Sequence, residues 1–403
     1  MRRLPRTVWA LGVVSLLTDL ASDMVYPVLP AFLVGTLGAS ALALGAIEGV
    51  AEASAAFFKL LSGRLSDLRG RRRPWVLAGY GLSGLVKPLL ALALTPWHVL
   101  AVRFTDRAGK GIRSAPRDAL LAEHAEGIGR GRVFGLHRSM DTVGAVLGPA
   151  VAALVLFLAP GEYRLLFGLT LVPGLLAVGV VLLVVRDRRQ AGQAPGHASP
   201  DSPPAEGAGK GFAALLRPDF IAILVVTLVF SIGNSSDAFL LLRAGDLGVP
   251  TVQLPLLWLV LNVVYAGTAW WAGAWSDRVG RRWVLALGFA LYAGVYLTLA
   301  RASGAGVAWV AFASYGLYLG LTDGVLRAAV ADRVDAGARG AAFGVFHSLT
   351  GVTLLGASLL AGWLWESVNP SAPFLLGAGC AGLAAVLSLV LLREDPYLEG
   401  EGP

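Results

Sequence analysis

Apolar runs of about 20 residues recur along the whole of this 403-residue chain, and they constrain its fold more than any other feature. A helix of that length crosses the hydrocarbon core of a bilayer. Hydrophobic residues make up 56% of the chain and charged residues only 15%, whereas an average soluble domain is roughly 25% charged. The pattern excludes an ordinary cytosolic enzyme and predicts an all-helical integral membrane protein.

The apolar runs predict twelve transmembrane helices, which we number as spans 1 to 12. They are expected at about 8–34, 41–61, 74–94, 98–120, 133–157, 165–185, 218–242, 253–273, 283–300, 307–330, 342–364 and 373–392. The basic start and the apolar stretch after it are typical of a signal peptide. However, Asp19 interrupts the stretch and no cleavage pattern follows, so we expect a retained first span.

One long polar segment, rich in proline, glycine, alanine and serine, separates spans 6 and 7. This composition is typical of a flexible linker. We therefore expect an N-terminal six-helix bundle over 1–187, a cytoplasmic linker over 188–212 and a C-terminal six-helix bundle over 213–403.

Basic residues collect in alternate loops. The termini, the linker and the loops joining spans 2–3, 4–5, 8–9 and 10–11 hold most of them, and the opposite loops hold little beyond Arg164, Arg243 and Arg301. Because cytoplasmic loops are enriched in Lys and Arg, both termini are predicted to face the cytoplasm from a cell inner membrane. The net charge of +7 is then explained by topology, and no nucleic acid partner is expected. Cys380 is the single cysteine, so no internal disulfide can form.

The two halves of the chain resemble each other. "GRLSDLRGRRRPW" at Gly63 returns as "GAWSDRVGRRW" at Gly273, and "FGLHRS" at Phe134 returns as "FGVFHS" at Phe343. Weaker matches join the segments at Ser22 and Ser236 and those at Arg113 and Arg327. A duplicated six-span unit is indicated, and parallel repeats of this kind place a substrate site between the halves near the membrane midplane.

The motif in the loops between spans 2 and 3 and between spans 8 and 9 resembles the loop signature of the major facilitator superfamily, although Leu68 stands where the family usually has arginine. The resemblance covers essentially the whole chain. It implies a fold of two pseudo-symmetric six-helix bundles and secondary transport by alternating access. We expect a conformational gate at this face, where glycines allow close helix approach and Asp67 accepts hydrogen bonds. The predicted loop members of the gate are Gly63, Asp67, Gly70, Arg71, Asp277, Gly280 and Arg281.

Span 5 contains "GAVLGPAVA", in which Gly144, Gly148 and Pro149 resemble the Gly-x-x-x-Gly-Pro signature of antiporter branches of the family. The following glycine pair of that signature is absent, because Ala152 and Ala153 stand there. The two glycines make a flat helix face and the proline allows a bend. The resemblance favours export and adds these residues to the expected gate; the alternative is an ordinary small-residue helix contact.

Span 4 contains "RFTDRAGKGIRSAPRD", an unusual concentration of charge for a membrane helix. Arg103, Asp106, Lys110, Arg113 and Arg117 are spaced three or four residues apart and so share one helix face. Each charge would cost at least a few kcal/mol if it faced lipid at the bilayer centre. The stripe is therefore predicted to face a water-filled cavity or pairing partners. Arg103 also resembles a functional span 4 arginine of antiporters in the family.

Other ionisable residues in the spans could complete a transport site. For each single residue, an ion pair that only orients helices is the alternative. Asp23 is expected to be the main protonation site and Arg113 a gating cation. Predicted proton-coupling residues are Asp23, Asp106, Glu48, Glu52, Asp141 and Asp237, and predicted cavity residues are Asp19, Tyr26, Arg103, Lys110, Arg113, Arg138, Asn234, Asp323, Arg327 and His347.

These observations predict a monomeric, proton-coupled exporter of a drug or metabolite, with protons, a small molecule and the lipid bilayer as partners. No enzyme activity, cofactor or bound metal is expected, and no nucleotide-binding motif appears. Three alternatives remain. Lys110 and Arg113 could hold the anion of an imported solute. Asp19, Asp23, Glu48 and Glu52 could bind an exported metal cation. A receptor or scaffold could use the same fold without transport.

Overall fold

The computed structural model describes residues 4–69, 71–125, 129–185, 217–334 and 339–392. The predicted linker over 188–212 and the predicted gate residue Gly70 lie outside the described residues, as does the side chain of Asp67. Over the described ranges, regular secondary structure is helical throughout, and the prediction of an all-helical membrane protein with the fold of two six-span repeats is confirmed.

Each predicted span corresponds to one helix or to a pair of consecutive helices. In the first repeat these are Arg6–Val25 extended by irregular turns to Thr36, Ala41–Arg69, Arg73–Val86 extended by the 3₁₀ turn Lys87–Leu92, Pro96–His124, Arg130–Leu158, and Tyr163–Leu169 with Leu171–Val184. In the second they are Pro218–Gly233 with Ala238–Asp246, Leu254–Val279, Arg281–Arg301, Gly306–Asp332, Arg339–Ser367 and Ala372–Leu391.

Ten of the described spans are long and apolar enough to cross a membrane by length and composition. The other two are span 4, Pro96–His124, and span 10, Gly306–Asp332, which occupy the same place in the two repeats. Both carry charged residues well inside the helix. Such helices are stable in a bilayer only when protein covers their polar faces.

Spans 1 and 7 are interrupted beside polar residues. Span 1 changes from α-helix to a 3₁₀ turn at Tyr26–Val28 and then to a π-helical turn, with Pro27 and Pro30 in the transition. Proline removes a backbone hydrogen bond and disfavours a continuous helix. Span 7 is interrupted between Gly233 and Ala238. Irregular backbone at membrane depth is tolerated where protein or a water-filled cavity satisfies it, so these breaks mark candidate site regions.

Packing divides the chain into two compact units. Of the described residues, those between 4 and 185 and those at 236–262 belong to the first unit, and those at 217–235 and between 263 and 392 belong to the second. The predicted domain boundaries stay a prediction. In the second unit, span 9 packs against spans 10 and 12. Its core is aromatic and includes the stacked rings of Tyr292 and Tyr296, whose centroids lie 4.0 Å apart.

In the first unit, span 4 is inserted between spans 2 and 3, and two glycines make this possible. A Cβ atom on Gly109 would lie 2.8 Å from the carbonyl oxygen of Gly79 in span 3. One on Gly111 would lie 2.5 Å from the carbonyl oxygen of Ala55 in span 2. The "GKG" sequence around Lys110 therefore provides two close helix contacts on different faces of span 4.

Span 5 packs along span 1 through the two glycines of the antiporter-like pattern. A Cβ atom on Gly144 would collide with the Leu16 carbonyl oxygen, and one on Gly148 would lie 2.7 Å from the Leu20 carbonyl oxygen and 2.8 Å from Cβ of Asp23. The small-residue contact weighed as the alternative is thus present. It lies directly behind the carboxylates of span 1.

This contact predicts a large difference between two identical substitutions in span 5. Gly148→Ala should lower the stability by about 1–3 kcal/mol, because the new methyl group meets backbone and Cβ atoms that cannot rotate away. Gly135→Ala is the matched control, since no atom of the described residues would lie within 4 Å of its Cβ and alanine favours helix. Thermal unfolding of the two purified variants measures the difference. Equal melting temperatures would contradict the close contact.

Candidate functional site

Arg103 of span 4 and Glu48 of span 2 form a buried bidentate ion pair. Arg103 Nε donates to Glu48 Oε1 at 2.8 Å, and Nη2 donates to Oε2 at 2.6 Å. The two residues are only 3% and 1% exposed. The planar guanidinium matches the carboxylate fork, which gives both strength and direction to the pair. The contact sets the rotation of span 4 relative to span 2.

Asp106 makes the corresponding contact on the other side of span 4. Lys87 Nζ in span 3 lies 3.2 Å from Asp106 Oδ1 and donates to Ser22 Oγ of span 1 at 2.9 Å. Ser83 Oγ also donates to Asp106 Oδ1. Our sequence reasoning missed Lys87, although its position within the apolar run "GLVKPLLALAL" was a usable signal. A lysine there needs a carboxylate partner.

A third pair joins Arg107 to Glu52 of span 2, with Nε 3.2 Å from Oε1. The charges of span 4 therefore alternate between partners on spans 2 and 3. The first two members of the predicted stripe, Arg103 and Asp106, are paired with other spans, and Arg107 is an additional paired residue. The last member, Arg117, pairs instead with its neighbour in the same helix, Asp118, at 2.8 Å.

The two aspartates of span 1 have different surroundings. Asp23 Oδ1 accepts a hydrogen bond from Trp258 Nε1 at 2.9 Å, and within the described part of the chain neither Asp23 nor Asp19 has an ion-pair partner within 4.0 Å. Asp19 lies within hydrogen-bonding reach of Asp141 in span 5. Because ionised carboxylates only accept hydrogen bonds, a bond between these two requires a proton on one of them.

Asp141 is itself held in place by two neighbours. Ser15 Oγ of span 1 donates to its Oδ1 at 2.6 Å. Arg138, which lies one helical turn earlier in span 5, donates to Asp141 Oδ2 at 3.0 Å. The predicted pair of Arg138 and Asp141 on one face of span 5 is present in this form.

Lys110 and Arg113 form no ion pair among the residues that the structure describes. Lys110 is exposed, and it interacts electrostatically with Glu52 and Asp19. Arg113 is 4% exposed, and its guanidinium lies 4.5 Å from the ring centre of Tyr80. Two of its nitrogens, Nε and Nη1, and the Tyr80 hydroxyl are buried and have no hydrogen-bond partner within the described part of the chain.

Tyr26, at the break in span 1, contacts several of these groups. Its ring centroid lies 4.9 Å from that of Trp258 and 5.6 Å from the Arg103 guanidinium carbon. Its hydroxyl lies 3.4 Å from Ser236 Oγ. Asp237 follows at the start of helix Ala238–Asp246 and interacts electrostatically with Tyr26. Trp258 was not among the predicted site residues, and only the folded chain shows that its indole meets Asp23.

The remaining predicted cavity residues belong to the second packing unit. Asn234 accepts a hydrogen bond from the Tyr292 hydroxyl at 3.2 Å. Asp323 accepts one from Tyr265 at 2.7 Å and also pairs with Arg327. The His347 ring centroid lies 5.3 Å from that of Phe346.

The loop motifs hold helix ends together, and the arginines differ between the copies. In the second copy Arg281 lies 2.5 Å from Asp277 and 3.2 Å from Asp332 at the end of span 10. Gly280 has a φ of 93°, which requires glycine. In the first copy Arg71 is exposed, and it is Arg72 that pairs with Glu123 at the end of span 4.

The metal-cation alternative depends on a cluster of ligating side chains. In ranges 4–69, 71–125, 129–185, 217–334 and 339–392, no group of three His, Cys, Asp or Glu side chains could hold a metal ion. Glu48 and Glu52 instead face Arg103 and Arg107.

Membrane helices arranged as two repeats, with ionisable groups inside, define a multi-pass transport protein. The chain belongs to the Major Facilitator Superfamily, whose family model matches residues 11–350 and 239–402. It is 30% identical over 397 residues to an uncharacterised MFS-type transporter of Methanocaldococcus jannaschii, covering 97% of this chain and 96% of that protein. Multidrug resistance protein MdtH of Photorhabdus laumondii is 28% identical over 142 residues, 35% of each chain.

Solved structures show the same fold. The nucleoside transporter NupG superposes with a TM-score of 0.75 at 14% identity, covering 96% of this chain and 100% of that one. At this identity the likeness concerns the fold alone. The family and its structural neighbours are transporters that bind small molecules and lie in lipid membranes.

Proposed function

We propose that this transporter exports a small molecule in exchange for protons by alternating access. It would act in the cell inner membrane, with both chain termini in the cytoplasm. The observation that carries the proposal is the state of Asp19 and Asp23. In the described first unit, Glu48, Glu52 and Asp106 have cationic partners within 4.0 Å, whereas these two carboxylates have none. Unpaired carboxylates inside membrane helices typically mark proton pathways.

The physical basis of coupling is the cost of an uncompensated charge away from water. A carboxylate without a cation is stabilised in such a site either by a proton or by a positively charged group of the solute. Proton and solute then compete for the same oxygens. Such competition is what an exchanger requires, because each ligand must displace the other during the cycle.

Two observations support the outward direction. The Gly-x-x-x-Gly-Pro pattern of antiporter branches lies against the backbone of span 1 at Asp23. In addition, 35% of the chain matches a relative that is named as a multidrug resistance protein. Import of an anion is the second candidate function, favoured by the unpaired Lys110 and Arg113.

A growth screen of an expressing strain against toxic compounds identifies solutes, and inverted membrane vesicles then test coupling. In inverted vesicles the cytoplasmic face is outside, so an exported solute enters the lumen as protons leave it. Adding the solute should dissipate an established acid-inside pH gradient. Collapsing the gradient with a protonophore should abolish solute uptake, and unchanged uptake would sink the proton claim. Solute accumulation in right-side-out vesicles, driven by inward proton flow, would instead establish import.

A further inference from the structure

We infer that the transported solute carries both a cationic and an anionic group and binds between spans 1 and 4; the inference rests on the proposed transport function. Among the described charges of the first packing unit, Lys87, Arg103 and Arg107 pair with Asp106, Glu48 and Glu52. Two further anions and two further cations have no ion-pair partner within 4.0 Å among the described residues. The anions are on span 1, at Asp19 and Asp23, and the cations are on span 4, at Lys110 and Arg113.

Lys110 of span 4 and the two aspartates of span 1 have opposite charges and interact without forming an ion pair. Lys110 interacts electrostatically with both Asp19 and Asp23, yet no carboxylate oxygen of the described residues lies within 4.0 Å of its ammonium group. Ionised groups that do not pair with one another are solvated by water or by a ligand. Water or a solute with complementary charges can fill this role.

The donor and acceptor geometry suits a zwitterion. Lys110 offers three N–H donors, and Arg113 offers a planar fork that binds a carboxylate through two parallel hydrogen bonds. Nε and Nη1 of Arg113 are buried and have no acceptor among the described residues. On span 1, Asp19 and Asp23 are four residues apart in one helix and so project from the same face. An ammonium group bound there would take the place of the proton.

The remaining groups around these four residues do not alter the balance. Asp23 also interacts electrostatically with Arg107 and Lys87. Arg107 and Lys87 are neutralised by Glu52 and Asp106. Asp19 faces Asp141, which is paired with Arg138.

A zwitterion adds no net charge to the site, whereas a simple cation would leave the buried guanidinium of Arg113 without a counter-charge. An uncompensated buried charge is strongly unfavourable. A simple anion would leave the aspartates without a partner and would not compete with protons. Of the three charge types, the zwitterion is thus the one compatible with both the unpaired groups and proton exchange.

The test compares compounds that differ only in charge. Phenylalanine, its methyl ester and its N-acetyl derivative are added to inverted vesicles beside the same three forms of ciprofloxacin and of each hit from the growth screen. After subtraction of the loss seen in vesicles without the protein, which permeant amines such as the ester cause by themselves, the zwitterionic form of a transported compound should dissipate the pH gradient at concentrations about tenfold lower, or more, than its singly charged forms. Lys110→Gln combined with Arg113→Gln should reverse this preference in favour of the ester. Lys110→Gln alone, at an exposed position, reports the same trend if the double variant folds poorly, and Arg301→Gln is the control.

Two failures can be told apart. If no compound dissipates the gradient, the proposed exchange with protons fails. If a compound with one charge sign is transported as well as its zwitterionic form, or if the Lys110 and Arg113 variants keep the wild-type preference, transport stands and the zwitterion inference is overturned.

Discussion

Asp23→Asn should abolish proton-driven transport while preserving solute binding and energy-independent exchange. Asparagine has the shape of aspartate, and its carbonyl oxygen can still accept the hydrogen bond from Trp258 Nε1. The amide of asparagine does not bind or release a proton near neutral pH, so the step that couples the pH gradient to solute transport is lost. The expected rate of gradient-driven uptake equals that of empty vesicles, and counterflow of labelled solute should persist.

The matched control is Asp219→Asn, an exposed aspartate in the first turn of span 7, which should transport with the wild-type pH dependence. Asp19→Asn shows whether the neighbouring carboxylate shares the role. A wild-type pH profile in Asp23→Asn would refute the assignment of the proton to Asp23. Glu48, Glu52 or Asp141 would then be the next candidates, and Asp141 has the strongest claim because it lies beside Asp19.

Arg103→Met should be among the most destabilising single substitutions in the chain. It leaves Glu48, which is 1% exposed, as a buried charge without its bidentate partner. Breaking a buried ion pair in this way costs about 3–5 kcal/mol. Replacing both partners, with Glu48→Met added, removes the uncompensated charge and should recover most of the lost stability. Thermal unfolding and the yield of monodisperse purified protein measure both effects.

Arg301→Gln is the control for the loss of an arginine, because Arg301 is exposed at the end of span 9. Its melting temperature should stay close to that of the wild type. A double variant no more stable than Arg103→Met would contradict the interpretation. It would show that Arg103 acts through its contacts with Tyr26 and Asp106 and not mainly through Glu48.

The spans, the duplication and the family followed from the sequence, because each depends on local patterns. Hydropathy is a property of about 20 consecutive residues, and the loop motif lies within a dozen. The positions of the breaks in the helices could not be predicted from such local patterns. The π-helical turn after Pro30 and the interruption at Asn234 depend on how neighbouring spans satisfy the exposed backbone.

The sequence by itself determined that charges lie inside the membrane helices, because Arg103 and Asp106 fall within a predicted span. Only the tertiary structure decided how they are paired. Pairing depends on the rotation and height of each helix against its neighbours, and Gly109, Gly111 and Gly148 set these through contacts with other spans. The same dependence explains why Trp258 was missed, because nothing local to it indicates a contact with Asp23. The position of Lys87 in an apolar run did signal a need for a partner, but only the fold shows that the partner is Asp106.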